Sequence, residues 1–266
     1  MYFDSHTHLN SEQLFDSYQE YLAEFELIWW KWLVNIAVDL DRAAKAVKIQ
    51  KNNNSSVRLL STVWFHPSLV ANEDIHPSEF EKLIDLAQKF YKDNKEYIYA
   101  IWECGIDTHY ASWEQFLPEQ KKFFQMQCEL AQDLDLPVVI HSRDDFESTF
   151  DVIKDFPDLK IYFHCWGYWP QEVAILQENF QNLWIWYTWN ITFPKAENIR
   201  ESFLETKEQN ILMETDAPYL APQPVRWKMN KPAYVSHIYQ YCADMIDYDL
   251  DNYKNIIEDN FFSLYN

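Results

Sequence analysis

The sequence predicts a (β/α)8 barrel forming a single domain over residues 1–266. Three observations lead there. Short apolar runs alternate with longer amphipathic segments, the pattern of repeated β-α-β units on a parallel sheet. The length of 266 residues suits such a barrel, which usually takes about 250. The side chains best suited to hold metal fall at the C-terminal ends of the apolar runs, and barrels of this kind build their active sites at that end.

In chain order the expected strands are residues 2–8, 33–38, 58–65, 98–103, 137–141, 160–164, 182–187 and 211–215. The plainest are VVIH and IYFH, apolar stretches of β-branched and aromatic residues that end in His141 and His164. Helical patterns lie between them at residues 77–93, 114–134, 144–155, 171–179 and 195–205. A proline-rich loop over residues 217–232 follows the eighth strand, and two more helical patterns cover 233–246 and 250–264.

Bulk composition excludes several classes. No run of eighteen apolar residues is present, and the start MYFDSHTHLN lacks a charged end followed by an apolar stretch, so neither a membrane span nor a secretory signal is expected. Cys104, Cys128, Cys165 and Cys242 are far apart with no C-x-x-C pair, which fits reduced thiols in a cytoplasmic protein, expected to be a monomer. The formal charge of −20 argues against broad non-specific affinity for nucleic acid or anionic lipid. A polyanionic substrate remains compatible, because bound divalent ions invert the charge locally.

His6 and His8 close the first run, Glu103 the fourth, His141 the fifth and His164 the sixth, and Asp216 follows the eighth. Strand residues two apart point to one face, so His6 and His8 can address a single ion. Imidazole and carboxylate donors suit Zn²⁺ or Mn²⁺, and a more hydrated site also takes Mg²⁺. Any one of these histidines alone reads as a structural hydrogen-bonding residue; six donors at one end of one barrel read as a metal centre. Glu214, two residues before Asp216, is placed to support a ligand from behind.

With these residues in place the chain resembles the TatD-type metal-dependent deoxyribonucleases. The resemblance is carried by FDSHTHLN, ECGIDTHY, VVIHSRD, YFHC, METDAPYLAP and PVRWKMNKP. It implies two divalent ions, one held by His6, His8 and Asp216 and the other by His141 and His164, with Glu103 bridging them. It also implies Asp216 and Glu103 as catalytic residues and hydrolysis of DNA, or RNA, by metal-activated water, with 3′→5′ or endonucleolytic action on single strands. Arg143, Arg226 and Lys228 lie on mouth-side loops and are candidates for phosphate contact, and His66 in WFHP matches a family position near substrate. His76, His109 and His237 are given no role. The same metal site would also serve ester or amide hydrolysis, such as removal of a D-amino acid from tRNA, and a non-catalytic scaffold is a third reading.

One feature departs from the family pattern. The chain has 2 glycines and 12 tryptophans, where average usage gives about 7% glycine. Trp64, Trp102, Trp186, Trp189 and Trp227 stand where the pattern has glycine, and Trp29, Trp30, Trp32 and Trp169 fall at turn-like places. Trp166 and Trp184 look like genuine aromatics. A wholesale exchange of glycine for indole would exceed the roughly 5–15 kcal/mol of stability a domain has. The pattern fits glycine codons of the UGA type translated as tryptophan. Peptide mass spectrometry of the protein from its native host is expected to find glycine at residue 102; tryptophan there overturns the reading.

Overall fold

The computed structural model describes residues 1–28, 30–63 and 65–265, without the side chains of residues 30, 31 and 102. Eight parallel strands form one sheet in sequential order, from β1 (Tyr2–Thr7) through β2 (Trp30–Asn35), β3 (Arg58–Val63) and β4 (Ile98–Asp107) to β5 (Val138–Arg143), β6 (Ile161–Phe163), β7 (Leu183–Tyr187) and β8 (Ile211–Met213). Between and after them lie α1 (Tyr18–Leu27), α2 (Leu40–Lys51), α3 (Pro67–Ala71), α4 (Phe80–Asp93), α5 (Leu117–Leu134), α6 (Phe146–Ile153), α7 (Pro170–Asn179), α8 (Glu197–Glu205), α9 (Val235–Met245) and α10 (Leu250–Tyr265). The sheet curls into a nearly closed (β/α)8 barrel, as the alternation predicts.

Local chemistry sets where the helices start. Asp39 caps α2 by accepting from the Arg42 amide at 2.7 Å, and Asp145 caps α6 from Ser148 at 2.9 Å. Pro67 and Pro170 open α3 and α7, where a missing amide proton costs nothing. Helix α2 then turns Ala43, Ala46, Val47 and Ile49 inward, a spacing that follows the helical period.

The seam between the first and last strands is closed by a buried carboxylate. Asp4 Oδ1 accepts from the Thr215 amide at 2.8 Å, and Oδ2 from the Thr215 hydroxyl at 2.7 Å. Beyond it the Asp216 amide donates to the His6 carbonyl at 2.9 Å and the His8 amide to Ala217 at 2.7 Å. Burial pushes the Asp4 carboxyl up to about 8, against the pull of the Thr215 bonds.

Two strand readings need the largest correction. The second strand was expected at 33–38 and occupies Trp30–Asn35. Its apolar continuation bonds outside the ladder instead: Ala37 N–H goes to the Thr62 hydroxyl at 3.0 Å, and Val38 C=O accepts from His66 at 3.1 Å. The fourth strand does not end at Glu103 but continues to Asp107. Its pairing steps from Trp102↔Val139 to Cys104↔Ile140, leaving Glu103 as the extra residue of a bulge with φ 59°. The expected strand position of residue 64 lies outside the described residues.

The left-handed turns are built mostly without glycine. Glu73, Asp135 and Asp247 take positive φ after α3, at the end of α5 and after α9. Among the described residues no tryptophan has positive φ, so backbone geometry alone does not demand glycine at those positions. Their surroundings vary. Trp186 is fully buried and stacks on Tyr162 with centroids 5.6 Å apart, Trp32 packs on Phe262, and Trp227 is 94% exposed. The expectations for Trp29 and Trp64, and for the side chains of Trp30 and Trp102, lie outside the described residues.

Gly105 is the position that geometry reserves for glycine. Its φ is +145°, and a Cβ would overlap the His141 carbonyl oxygen and lie 2.9 Å from the carbonyl carbon. At Gly167 the nearest atom to a Cβ would be the Cys165 carbonyl oxygen, at 3.9 Å. Gly105→Ala is therefore expected to cost at least about 3 kcal/mol in urea unfolding, and Gly167→Ala less than about 1 kcal/mol in either direction. Equal effects of the two would contradict the close approach of β4 to β5.

Candidate metal centre

The mouth gathers the donors that the sequence singles out. His6 Nε2 and His8 Nε2 lie 3.0 Å apart, and Asp216 Oδ1 is 3.4 Å from each. On the other side His141 Nδ1 is 2.9 Å from His164 Nε2. Glu103 stands between, with Oε1 3.4 Å from His164 Nε2 and 3.6 Å from His6 Nε2, and Oε2 3.8 Å from His8 Nε2. Among the described residues three donor groups result: His6, His8 and Asp216; His6, Glu103 and His164; and His66, Glu103 and His141.

Backbone strain aims several of these groups. Glu103 and Asp216 have φ of 59° and 56°, and Cys165, just past His164, has 48°. Non-glycine residues in this region each cost on the order of 1–3 kcal/mol and cluster where function requires them. His6 and His8 reach the mouth from the end of β1, where pairing with β2 loses its register between Asp4 and Thr7.

Supporting carboxylates fix the rings. Glu214 lies beneath two of them, Oε2 3.3 Å from His6 Nδ1 and Oε1 3.8 Å from His164 Nδ1, and it also accepts the Cys165 amide at 2.7 Å. That is the supporting place its spacing suggests. Asp107 Oδ2 lies 3.0 Å from His141 Nε2, which leaves Nδ1 of that ring for the mouth. His8 Nδ1 meets the Ile36 carbonyl at 3.2 Å. Partners of this kind set the tautomer and heading of a ligating imidazole.

Electrostatics favour neutral rings at three positions. Burial, reinforced by neighbouring imidazoles, holds His6 and His164 well below the ordinary histidine value, and burial and His141 do the same to His66. Burial also lowers His8, but Glu103 and Asp216 outweigh it and raise it overall. Burial raises Glu103 and, more strongly, Glu214, with Asp216 adding to both. Burial would raise Asp107 too, but its bond to His141 prevails and lowers it.

These residues fit divalent ions. Glu103 Oε2 and Asp216 Oδ1 are buried without a hydrogen-bond partner, and imidazole nitrogens face one another at contact distance. Donors around one ion at about 2.1 Å stand roughly 3–3.4 Å apart, which is the spacing found here. A cation also satisfies the lone pairs that would otherwise be left buried.

The remaining expected site residues are less concentrated. His66 caps α3 through Nδ1, which accepts the Ser68 amide at 3.0 Å, and its ring is 4.4 Å from that of His141. It therefore stands within one of the donor groups. Arg143 ends β5, is exposed, and its charge is felt at His66 and Asp107. Arg226 lies over the Phe193 ring at 4.7 Å, and Lys228 is exposed with its charge felt at His237. Neither is brought to the donor groups by a described contact. His76 caps a short helical turn and His237 is half-buried beside Lys228, whereas His109 pairs with Asp144 at 2.7 Å and its amide holds Asp107 at 2.9 Å. Asp107, Asp4 and Tyr219 carry no expected role from the sequence, although all three lie inside the FDSHTHLN, ECGIDTHY and METDAPYLAP motifs. The even spacing of Asp107 from Glu103 was the available signal.

An eight-stranded parallel barrel with imidazoles and carboxylates converging at its mouth defines a metal-dependent hydrolase. The model for TatD-related DNases matches residues 3–266, and the chain belongs to that family. It is 31% identical over 266 residues to an uncharacterized metal-dependent hydrolase of Mycoplasma genitalium, covering 97% of each chain. It is also 36% identical over 129 residues to a human 3′-5′ RNA nuclease, covering 47% of this chain and 17% of that one. The crystal structure of the TatD homologue YJJV from Escherichia coli superposes with a TM-score of 0.87 at 19% identity, covering 99% of this chain and 97% of the other. No helix among the described residues is long and apolar enough to cross a membrane.

Binding of a divalent ion should release protons. Glu103 and His8 have raised values, so each holds its proton to higher pH than usual and must lose it to become a donor. Affinity for Mn²⁺ or Zn²⁺ is therefore expected to rise from pH 5 to pH 7.5. Calorimetry in buffers of different ionisation enthalpy should show net proton release; none across that range would contradict these assignments.

Proposed function

We propose that this protein is a two-metal phosphodiesterase that hydrolyses single-stranded DNA in the 3′→5′ direction. The observation that carries the proposal is the shared position of Glu103, whose two oxygens reach toward donors of both neighbouring groups. A carboxylate so placed can bridge two ions, the arrangement that stabilises both the attacking and the leaving oxygen of an in-line displacement at phosphorus. The family description and the activity named for the human relative support a nucleic-acid substrate.

In this reading His6, His8 and Asp216 would hold one ion, His141 and His164 the other, and Glu103 would serve both. When bound, the ions lower the pKa of water and offset charge on the phosphate. The protein's own groups do the rest. Asp216 would turn Oδ1, 3.4 Å from both His6 and His8, to the ion and keep its other carboxylate oxygen to orient a water and accept its proton. Glu214 and Asp107 keep His6, His164 and His141 from turning as charge develops. Arg143, exposed at the end of β5, contacts the phosphate backbone, with Arg226 and Lys228 as further cations on the loop after β8.

The purified protein with Mg²⁺ or Mn²⁺ is expected to cleave single-stranded DNA progressively from its 3′ end, to stop in EDTA, and to lose at least about a hundredfold in rate with His6→Ala or Asp216→Ala. A folded, metal-loaded protein that leaves DNA and RNA intact but releases D-amino acids from tRNA would move the substrate to a carboxylic ester. One that binds metal and hydrolyses nothing would leave only a scaffold.

A further inference from the structure

The loops around the mouth carry more exposed aromatic surface than metal binding requires. Tyr219, on the loop after β8, is 52% exposed, and its ring centroid is 5.5 Å from that of His8 at an interplanar angle of 85°. Its amide is anchored to the Asp216 carbonyl at 3.0 Å. Tyr110, on the loop after β4, is 55% exposed and meets the His109 ring edge-on at 5.0 Å and the Trp113 ring at 4.9 Å. His109 is tethered to Asp144 and, through its amide, to Asp107. In the sequential eight-strand order β4 and β8 are four strands apart, so the loops that carry the two tyrosines leave the barrel on opposite sides of its mouth.

Charge says what such surfaces are for. With 22 basic against 42 acidic residues, the protein repels a polyanion at long range, and the cations near the mouth are few. A nucleic-acid strand must therefore gain affinity at short range. Aromatic stacking does so with any base, provided the base is unpaired.

Building on the nuclease reading, we propose that Tyr219 and Tyr110 are stacking platforms for unpaired bases on the two sides of the scissile phosphate, so that the protein selects single strands by stacking rather than by charge. Tyr219, beside His8, takes the base next to the reacting phosphate. Tyr110, braced by His109 and Trp113, takes a base on the far side. A duplex is excluded because its bases are already stacked on one another.

The test uses the metal-loaded protein and a short single strand with phosphorothioate linkages and 2-aminopurine at its 3′ end. Binding is expected to quench the fluorophore, and affinity to fall only slightly with added salt. Tyr219→Ala and Tyr110→Ala should each weaken binding about tenfold, Tyr→Phe should restore most of it, and the loss should be at least about fivefold smaller on a strand of abasic residues. Equal losses on base-bearing and abasic strands, or no loss with either alanine, would overturn the proposal. So would a steep salt dependence, which marks binding through phosphates. Quenching that responds to both tyrosines, on a strand that the protein then fails to cleave in its ordinary phosphodiester form, would uphold the platforms and overturn the nuclease reading.

Discussion

The close approach of β4 to β5 at Gly105 is the constraint on which the metal centre rests. Without a side chain at that point, the Gly105 backbone can lie against the His141 carbonyl. The bulge two residues earlier lifts Glu103 out of the ladder and gives its carboxylate a heading that regular pleating would not. The ladder then resumes long enough to bring Asp107 under His141. Three functional placements thus follow from one backbone contact: the shared carboxylate, the ring that it faces and the partner that holds that ring.

Around this contact the protein concentrates groups that are costly without a cation. Imidazoles are buried within contact distance of one another, and carboxylates lie among them with oxygens that accept no hydrogen bond. Burial drives the rings toward neutrality and the carboxyls toward protonation. Both tendencies reduce the charge that the apo site must bury. A divalent ion reverses the balance by supplying positive charge at the place where the lone pairs converge. Glu214 shows the economy of the design: one carboxylate beneath the floor serves rings belonging to two donor groups.

Much of this was legible in the sequence because ligand chemistry is local. His6 and His8 are two apart, His141 and His164 end apolar runs, and Asp216 follows the last, so strand periodicity alone carries them to one mouth. What was not legible depends on tertiary contact. Nothing in the residues around Glu103 announces a bulge, because the left-handed φ is imposed by the neighbouring strand. The second strand begins three residues earlier than its apolar run suggests, since its end is turned toward Thr62 and His66. Tyr219 and Tyr110 gave no signal because an exposed ring has no periodicity. The tryptophans show the limit from the other side. Composition sets them apart, yet the backbone at the described positions is ordinary, and Trp186 packs as a core residue.

The seam between β1 and β8 has a consequence for how the chain is made. Asp4 draws its hydrogen bonds from Thr215 and from the His6 amide, and His6 and His8 are held in register by residues 216 and 217. A chain emerging from the ribosome exposes the first two histidines long before the residues that complete their surroundings exist. Contacts spanning more than two hundred positions are slow to form, because loop closure must precede any gain from them. The surroundings of His6 and His8 are therefore completed late in biogenesis, once the barrel has closed. A truncated or stalled product would carry histidines but no cage for metal.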